Sequence, residues 1–183
     1  MPIQDCVAHA IDPSLSTGPV PVLTPKAQPQ HASAKQHQTG EASLTGSGLR
    51  SQADFTVRGR ALVTDVPITY LGYVNRDSGV IEEPGHPLDG VAIEDTVLVY
   101  PKGSGSTVAP YVLMGLIYTG KGPKAVVNRD ICPLTLPACS LLGVPYGHGF
   151  DSDPCIAVNT GDAVEFRRTP DGVVLEVVER VQP

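Results

Sequence analysis

Glycine and proline interrupt this chain at short intervals. The sequence holds 19 Gly and 18 Pro among 183 residues, and such punctuation favours turns and short elements over long helices. Hydrophobic residues make up 41%, enough for a single core. With three Phe, six Tyr and no Trp, that core has to rest on Val, Leu, Ile and Ala. The length accommodates one domain of ordinary size and a tail.

Patterning separates the two parts. Residues 1–53 are rich in Pro, Ser, Thr, Gln, Ala and His and contain no Phe, Tyr or Trp. They sustain neither a period of 2 nor one of 3.6. Such a segment cannot bury enough apolar surface to offset the entropy of ordering it, so it reads as a disordered low-complexity tail. Val20-Pro21-Val22-Leu23 is a short apolar patch suited to docking, with prolines that argue against a helix. His9, His31 and His37 are too scattered for a metal tract. Order is expected to begin near Phe55, giving a domain over residues 54–183.

Within that domain Phe55, Val57, Gly59, Ala61 and Val63 alternate with polar residues, the pattern of a half-buried strand. Residues 67–74 read as a second strand, Asn75 to Gly79 as a turn, and Thr96-Val97-Leu98-Val99-Tyr100 as a fully apolar strand. The period then changes: Val108, Val112, Leu113, Leu116 and Ile117 recur at helical spacing. Thr107 is the expected N-cap, with Pro110 in the first turn and Gly120 as the stop. Lys124 to Val127 reads as a buried strand. Leu136 to Leu142 reads as a short helix capped by Thr135 and ended by Gly143. Cys155 to Val158 is expected as a strand, and Pro170-Asp171-Gly172 as a hairpin turn between Ala163–Arg168 and Val173–Val181. This order predicts an α/β fold of β/β/α arrangement with a mixed sheet, not a doubly wound one.

Charge excludes some functions. The formal net charge is −6, and the tail is neutral: Asp5, Asp12 and Glu41 balance Lys26, Lys35 and Arg50. A duplex-binding protein needs a basic face to displace counterions, and none is visible, so no nucleic-acid partner is expected. Cys6, Cys132, Cys139 and Cys155 form no C-x-x-C pair. They read as reduced thiols packed as small apolar groups, and no metal or cofactor is expected to be held by this chain alone. No apolar run approaches the roughly 20 residues that cross a bilayer. The N-terminus lacks the features of a secretory signal and is poor in arginine for a transit peptide. A soluble cytoplasmic protein without membrane contact is the expectation.

The chemistry concentrates in Tyr100-Pro101-Lys102-Gly103-Ser104-Gly105-Ser106-Thr107. A buried strand runs into a glycine loop that opens a helix, a layout that gathers free N–H groups and the helix dipole into an anion site. It is neither a Walker loop nor a dinucleotide fingerprint, and a plain tight turn with a capping hydroxyl shares the same pattern. If Thr107 caps the helix, the Ser106 hydroxyl is free. Dipole and amides would favour its ionised form, and an alkoxide there could remove a C–H proton next to a carboxylate. A Lewis acid would have to carry off the leaving hydroxyl, and nothing in this chain supplies one.

These residues meet a family. Residues 56–181 resemble the small subunit, or swivelling domain, of the aconitase X group of hydro-lyases. The resemblance runs through Gly59-Arg60-Ala61, Pro67-Ile68-Thr69-Tyr70-Leu71-Gly72, Gly79-Val80-Ile81, Gly85-His86-Pro87-Leu88-Asp89-Gly90, Gly103-Ser104-Gly105-Ser106-Thr107-Val108, Pro123-Lys124-Ala125-Val126-Val127-Asn128, Gly143-Val144-Pro145 and Thr160-Gly161-Asp162. It implies a swivelling β/β/α fold and a large partner subunit carrying an iron–sulfur cluster or mononuclear iron. It also implies removal of water from a small hydroxy acid with Ser106 as catalytic base. Known substrate classes are 5-phosphomevalonate and cis-3-hydroxy-L-proline, and the loop wording stands closer to the first. Two departures bear on the substrate: Tyr73 follows Gly72 where many relatives carry a second glycine, and Gly147-His148-Gly149 replaces a polar turn.

Gly103, Ser104, Gly105, Thr107 and His86 are the expected substrate contacts, and no metal ligand is expected. For His86 the competing reading is a loop histidine bonded to nearby backbone, and for His148 an exposed turn histidine. Lys102 reads equally as a phosphate contact or a solvated lysine. A different class of function also fits: a non-catalytic binding module that keeps the fold and docks other proteins through its tail.

Overall fold

The computed structural model describes residues 42–181. Seven strands, β1 (Ser43–Gly48), β2 (Thr56–Val63), β3 (Val97–Tyr100), β4 (Ala125–Asn128), β5 (Tyr146–His148), β6 (Ala163–Thr169) and β7 (Gly172–Glu179), close into a barrel in the order β1-β5-β4-β3-β2-β6-β7. The mixed sheet expected from the sequence is present. β2, β3, β4 and β5 run parallel, with Ala61 opposite Val97, Val97 opposite Ala125, and Val126 opposite Tyr146. β6 pairs antiparallel with β2 and β7, and β1 closes the ring antiparallel to both β7 and β5.

Parallel strands need long crossovers, and these carry the helices. α1 (Tyr70–Tyr73) lies between β2 and β3, α2 (Ala109–Tyr118) between β3 and β4, α3 (Leu136–Leu142) between β4 and β5, and α4 (Pro154–Ala157) between β5 and β6. α1 is a single turn broken at Leu71 and Gly72.

Side-chain alternation along the central strands makes two cores. Every residue of β3 and β4 is buried, as for strands covered on both faces. Leu98, Tyr100 and Val126 pack with Leu113 and Leu116 of α2 and with Ala138 and Cys139 of α3. Val97, Val99, Ala125 and Val127 turn the other way, to Leu44, Phe166, Val173 and Leu175. Phe166 is fully buried against Phe55, ring centroids 5.1 Å apart. Each such side chain stabilises the fold by about 1.5–3 kcal/mol.

The structure revises several expectations. Residues 43–48, expected inside the tail, form β1, because Leu44 fills the barrel and its neighbours complete the ladder to β7. The segment expected as a strand over 67–74 makes only isolated bridges, Ile68 to Gly103 and Val74 to Ile81, around α1. The strand expected at Cys155–Val158 is α4, since the Asp153 side chain accepts the Cys155 N–H at 3.0 Å and Pro154 opens a helical turn. Gly147 and His148 lie in β5 instead of a turn. Cys6, His9, Val20–Leu23, His31 and His37, and the expectations attached to them, lie outside the described residues.

Candidate active site

The loop between β3 and α2 hangs from two fixed walls. On one side Gly103 bridges Ile68: the Ile68 N–H donates to the Lys102 carbonyl at 3.3 Å and the Ser104 N–H donates to the Ile68 carbonyl at 2.9 Å. The hydroxyls of Ser104 and Thr69 share a 2.7 Å hydrogen bond. On the other side the Gly103 N–H donates to Cys132 Sγ at 3.1 Å. A side chain at Gly103 would meet Leu134 Cβ at 3.3 Å and Thr135 Oγ1 at 3.4 Å, so a larger residue would press the loop a few tenths of an ångström off this wall. Gly105 takes φ 87, the left-handed turn that lifts the chain off these walls.

Beyond Gly105 the chain is exposed through Val108. The Ser106 carbonyl accepts the Ala109 N–H at 2.9 Å, and Ser106 Oγ accepts the Val108 N–H at 3.2 Å. Val108, not Thr107, occupies the N-cap of α2, and Pro110 sits in its first turn. The expectation that Thr107 caps while Ser106 stays free is therefore corrected. A serine hydroxyl readily reaches the amide two residues on, and the tight turn at 106–109 places it there. This bond does not consume the oxygen: an N–H donated to it favours the ionised form over the neutral one. Among the described residues, the N–H groups of Gly105, Ser106 and Thr107 meet no acceptor. Three successive free amides at a helix mouth suit an anionic oxygen.

The expected substrate contacts divide. Gly105, Ser106 and Thr107 are exposed together. Gly103 is buried and Ser104 is held by Thr69, so both serve as anchors. His86 is buried as well: its Nδ1 accepts the Leu88 N–H at 3.0 Å, which leaves the proton on Nε2. That nitrogen is sealed from solvent and has no partner among the described residues. The 82–90 loop drives Leu88 into the core and carries the imidazole in with it, as the backbone-bonded reading anticipated. Lys102 is exposed. His148 is half-buried, and burial pushes its imidazole below the usual range.

Sequence reasoning missed what holds the loop. Cys132 read as packing and Thr135 as a helix cap. Thr135 does precede α3 but makes no capping bond; its hydroxyl turns inward to Tyr100 and Cys132. Among the described residues no group of three His, Cys, Asp or Glu side chains converges as a metal site. Cys139 and Cys155 are poor ligands as they stand: burial pushes both thiols up to about 12.

The profile of the aconitase X swivel domain matches residues 48–175. The chain is 37% identical over 108 residues to the phosphomevalonate dehydratase small subunit of Pyrococcus abyssi (strain GE5 / Orsay), covering 59% of this chain and 81% of the relative. It is 32% identical over 126 residues to the protein of the same name from Methanococcoides burtonii, covering 69% of this chain and 92% of that one. The crystal structure of Thermococcus kodakaraensis aconitase X in its holo-form superposes with a TM-score of 0.66 at 25% identity, over 75% of this chain and 99% of that chain. The barrel, the glycine–serine loop at its edge and the sequence that builds both thus agree, and the chain belongs to the aconitase X swivel domain family.

Proposed function

We propose that this chain is the small subunit of a phosphomevalonate dehydratase and that Ser106 is the base of its reaction. The names of the relatives support the substrate and the existence of a large partner subunit. One observation carries the catalytic part: an exposed serine oxygen at the mouth of a ten-residue helix, already accepting one amide and flanked by three free ones.

The dehydration removes a proton from a carbon beside the carboxylate and a hydroxyl from the neighbouring carbon. Ser106 Oγ, as the alkoxide, takes the proton. The C–H electron pair becomes the C=C bond as the C–O bond breaks, and the net products are the unsaturated acid and water. The free amides of Gly105, Ser106 and Thr107 hold substrate oxygens, and the anchors at Gly103 and Ser104 keep the base in place. An iron–sulfur cluster or iron held by the large subunit would supply the Lewis acidity that assists departure of the hydroxyl; among this chain's described residues no three His, Cys, Asp or Glu side chains converge to hold it. The cytoplasm is the proposed compartment.

Ser106→Ala tests the reading. The variant is co-purified with the large subunit and assayed with 5-phosphomevalonate and with cis-3-hydroxy-L-proline. Loss of a positioned base removes at least about 10²-fold in turnover while the complex still forms. Near-normal turnover would end the role of Ser106. Activity on hydroxyproline alone would move the chain to the other branch.

A further inference from the structure

We infer that Cys132 is a positioning residue for the Ser106 loop, the end of a buried hydroxyl relay that fixes the loop from beneath. This rests on the proposed role of Ser106. Cys132 Sγ, 1% exposed, accepts two donors: the Gly103 N–H at 3.1 Å and the Thr135 hydroxyl at 3.3 Å. Thr135 Oγ1 also lies 2.9 Å from the Tyr100 hydroxyl, which lies 2.8 Å from the Tyr70 hydroxyl.

The direction of the relay follows from counting protons. A threonine hydroxyl has one, and Thr135 gives it to sulfur. Tyr100 must then donate to Thr135, and Tyr70 to Tyr100. Burial keeps both phenols well above their usual range, so neither proton is lost at working pH. Aligned bonds of this kind strengthen one another in a low-dielectric interior.

The relay matters because of where it ends. Gly103 is three residues before Ser106, and on its other side the loop is held by the bridge to Ile68 and the Ser104–Thr69 hydroxyl bond. A loop held along one wall only can hinge about that wall; the hold at sulfur on the opposite wall removes that freedom. The Cys132 amide is itself fixed, donating to the Tyr146 hydroxyl at 3.1 Å. The sulfur therefore acts on catalysis through the loop and touches no substrate. A thiol serving only as apolar filler would not require the Gly103 amide and the Thr135 hydroxyl to converge on it.

The experiment compares Cys132→Ala, Cys132→Ser, Thr135→Val and Cys139→Ala in the full chain assembled with its large subunit, alongside Ser106→Ala. Cys139 packs in the core that holds Tyr70 and Tyr100 but makes no bond to the loop, so Cys139→Ala controls for softening. Displacement of a catalytic group by a fraction of an ångström is expected to lower kcat about 10-fold or more in Cys132→Ala. KM should rise by a smaller factor than kcat falls: the Gly105, Ser106 and Thr107 amides ride on the same loop, but a hydrogen bond to substrate tolerates displacement better than proton transfer does. Cys132→Ser restores an acceptor and should recover most of the loss. If Cys132→Ala does not assemble, Thr135→Val, nearly isosteric, is read in its place, with the same loss of kcat expected.

Unchanged kcat in these variants while Ser106→Ala is dead would overturn the inference. An equal loss in Cys139→Ala would do the same. Should the wild-type complex lack dehydratase activity, the function reading fails first, and amide exchange in the chain alone still decides. Faster exchange at Gly103 in Cys132→Ala than in Cys139→Ala upholds the anchor, and equal exchange removes it.

Discussion

Replacing Gly172 by alanine tests whether residues 43–48 close the barrel. Gly172 opens β7 with φ 157, and a Cβ there would collide with the Gly46 carbonyl oxygen. Gly46 pairs with Val173, the next residue of β7. The methyl can enter only if β1 shifts or peels away. Backbone strain accounts for about 1–3 kcal/mol, and forcing an extra carbon into a packed contact for about 1–3 kcal/mol more. Peeling sets a ceiling, because it gives up the burial of Leu44, worth about 1.5–3 kcal/mol, and the four register pairs from Ser43 to Gly46. A net loss of about 3 kcal/mol corresponds to a Tm lower by about 10 °C for a domain of this size. Thermal and urea unfolding of the full chain measure it, and amide exchange at Leu44 and Thr45 shows whether β1 is the part released. A Tm within about 2 °C of the parent, with those amides as protected as before, would refute the closed barrel.

Two further outcomes are expected. The His148 imidazole is held below its usual range by burial. Its contribution to stability is complete above the unfolded value near 6.5 and is lost as pH falls from there through the folded value. His148→Gln should flatten the acid limb of a Tm-versus-pH curve, and an unchanged limb would contradict the assignment. Asp162, fully buried, accepts the Asn159 N–H at 2.9 Å, the Val181 N–H at 3.0 Å and the Arg180 guanidinium at 3.0 Å. Asp162→Ala strands all three donors and should destabilise the fold by about 3 kcal/mol, read as a shift in the urea midpoint.

Much of the fold was legible because local chemistry and tertiary packing agree. The helix at Leu136–Leu142 has its proline in the first turn and its glycine stop at φ 71, as the sequence indicates. The hairpin at 170–172 joins β6 to β7 in the expected place. Where the two disagree, the reading fails. β1 has one buried apolar residue, Leu44, among Ser, Thr and Gly, and its order comes from partners more than a hundred residues away in β7. No window of local sequence contains them. Residues 67–74 have strand-forming composition, yet Gly72 at φ 96 breaks the run and only single bridges survive. At the site, the loop and its serine were visible from the strand–glycine–helix grammar. The capping was not, since Ser106 and Thr107 carry the same hydroxyl and only the turn geometry chooses between them. The sulfur beneath Gly103 was invisible for a deeper reason: it lies 29 residues along the chain.

The alternation along β3 has a consequence for how such a chain can change. Val97 and Val99 face the barrel interior, whereas Leu98 and Tyr100 face the layer from which the serine loop is hung. Neighbouring positions on one strand therefore answer to different demands. Drift on the inward side can raise or lower heat tolerance while leaving the reactive loop untouched, and drift on the outward side is restrained by chemistry. A descendant could adapt to a new growth temperature by substituting every second residue.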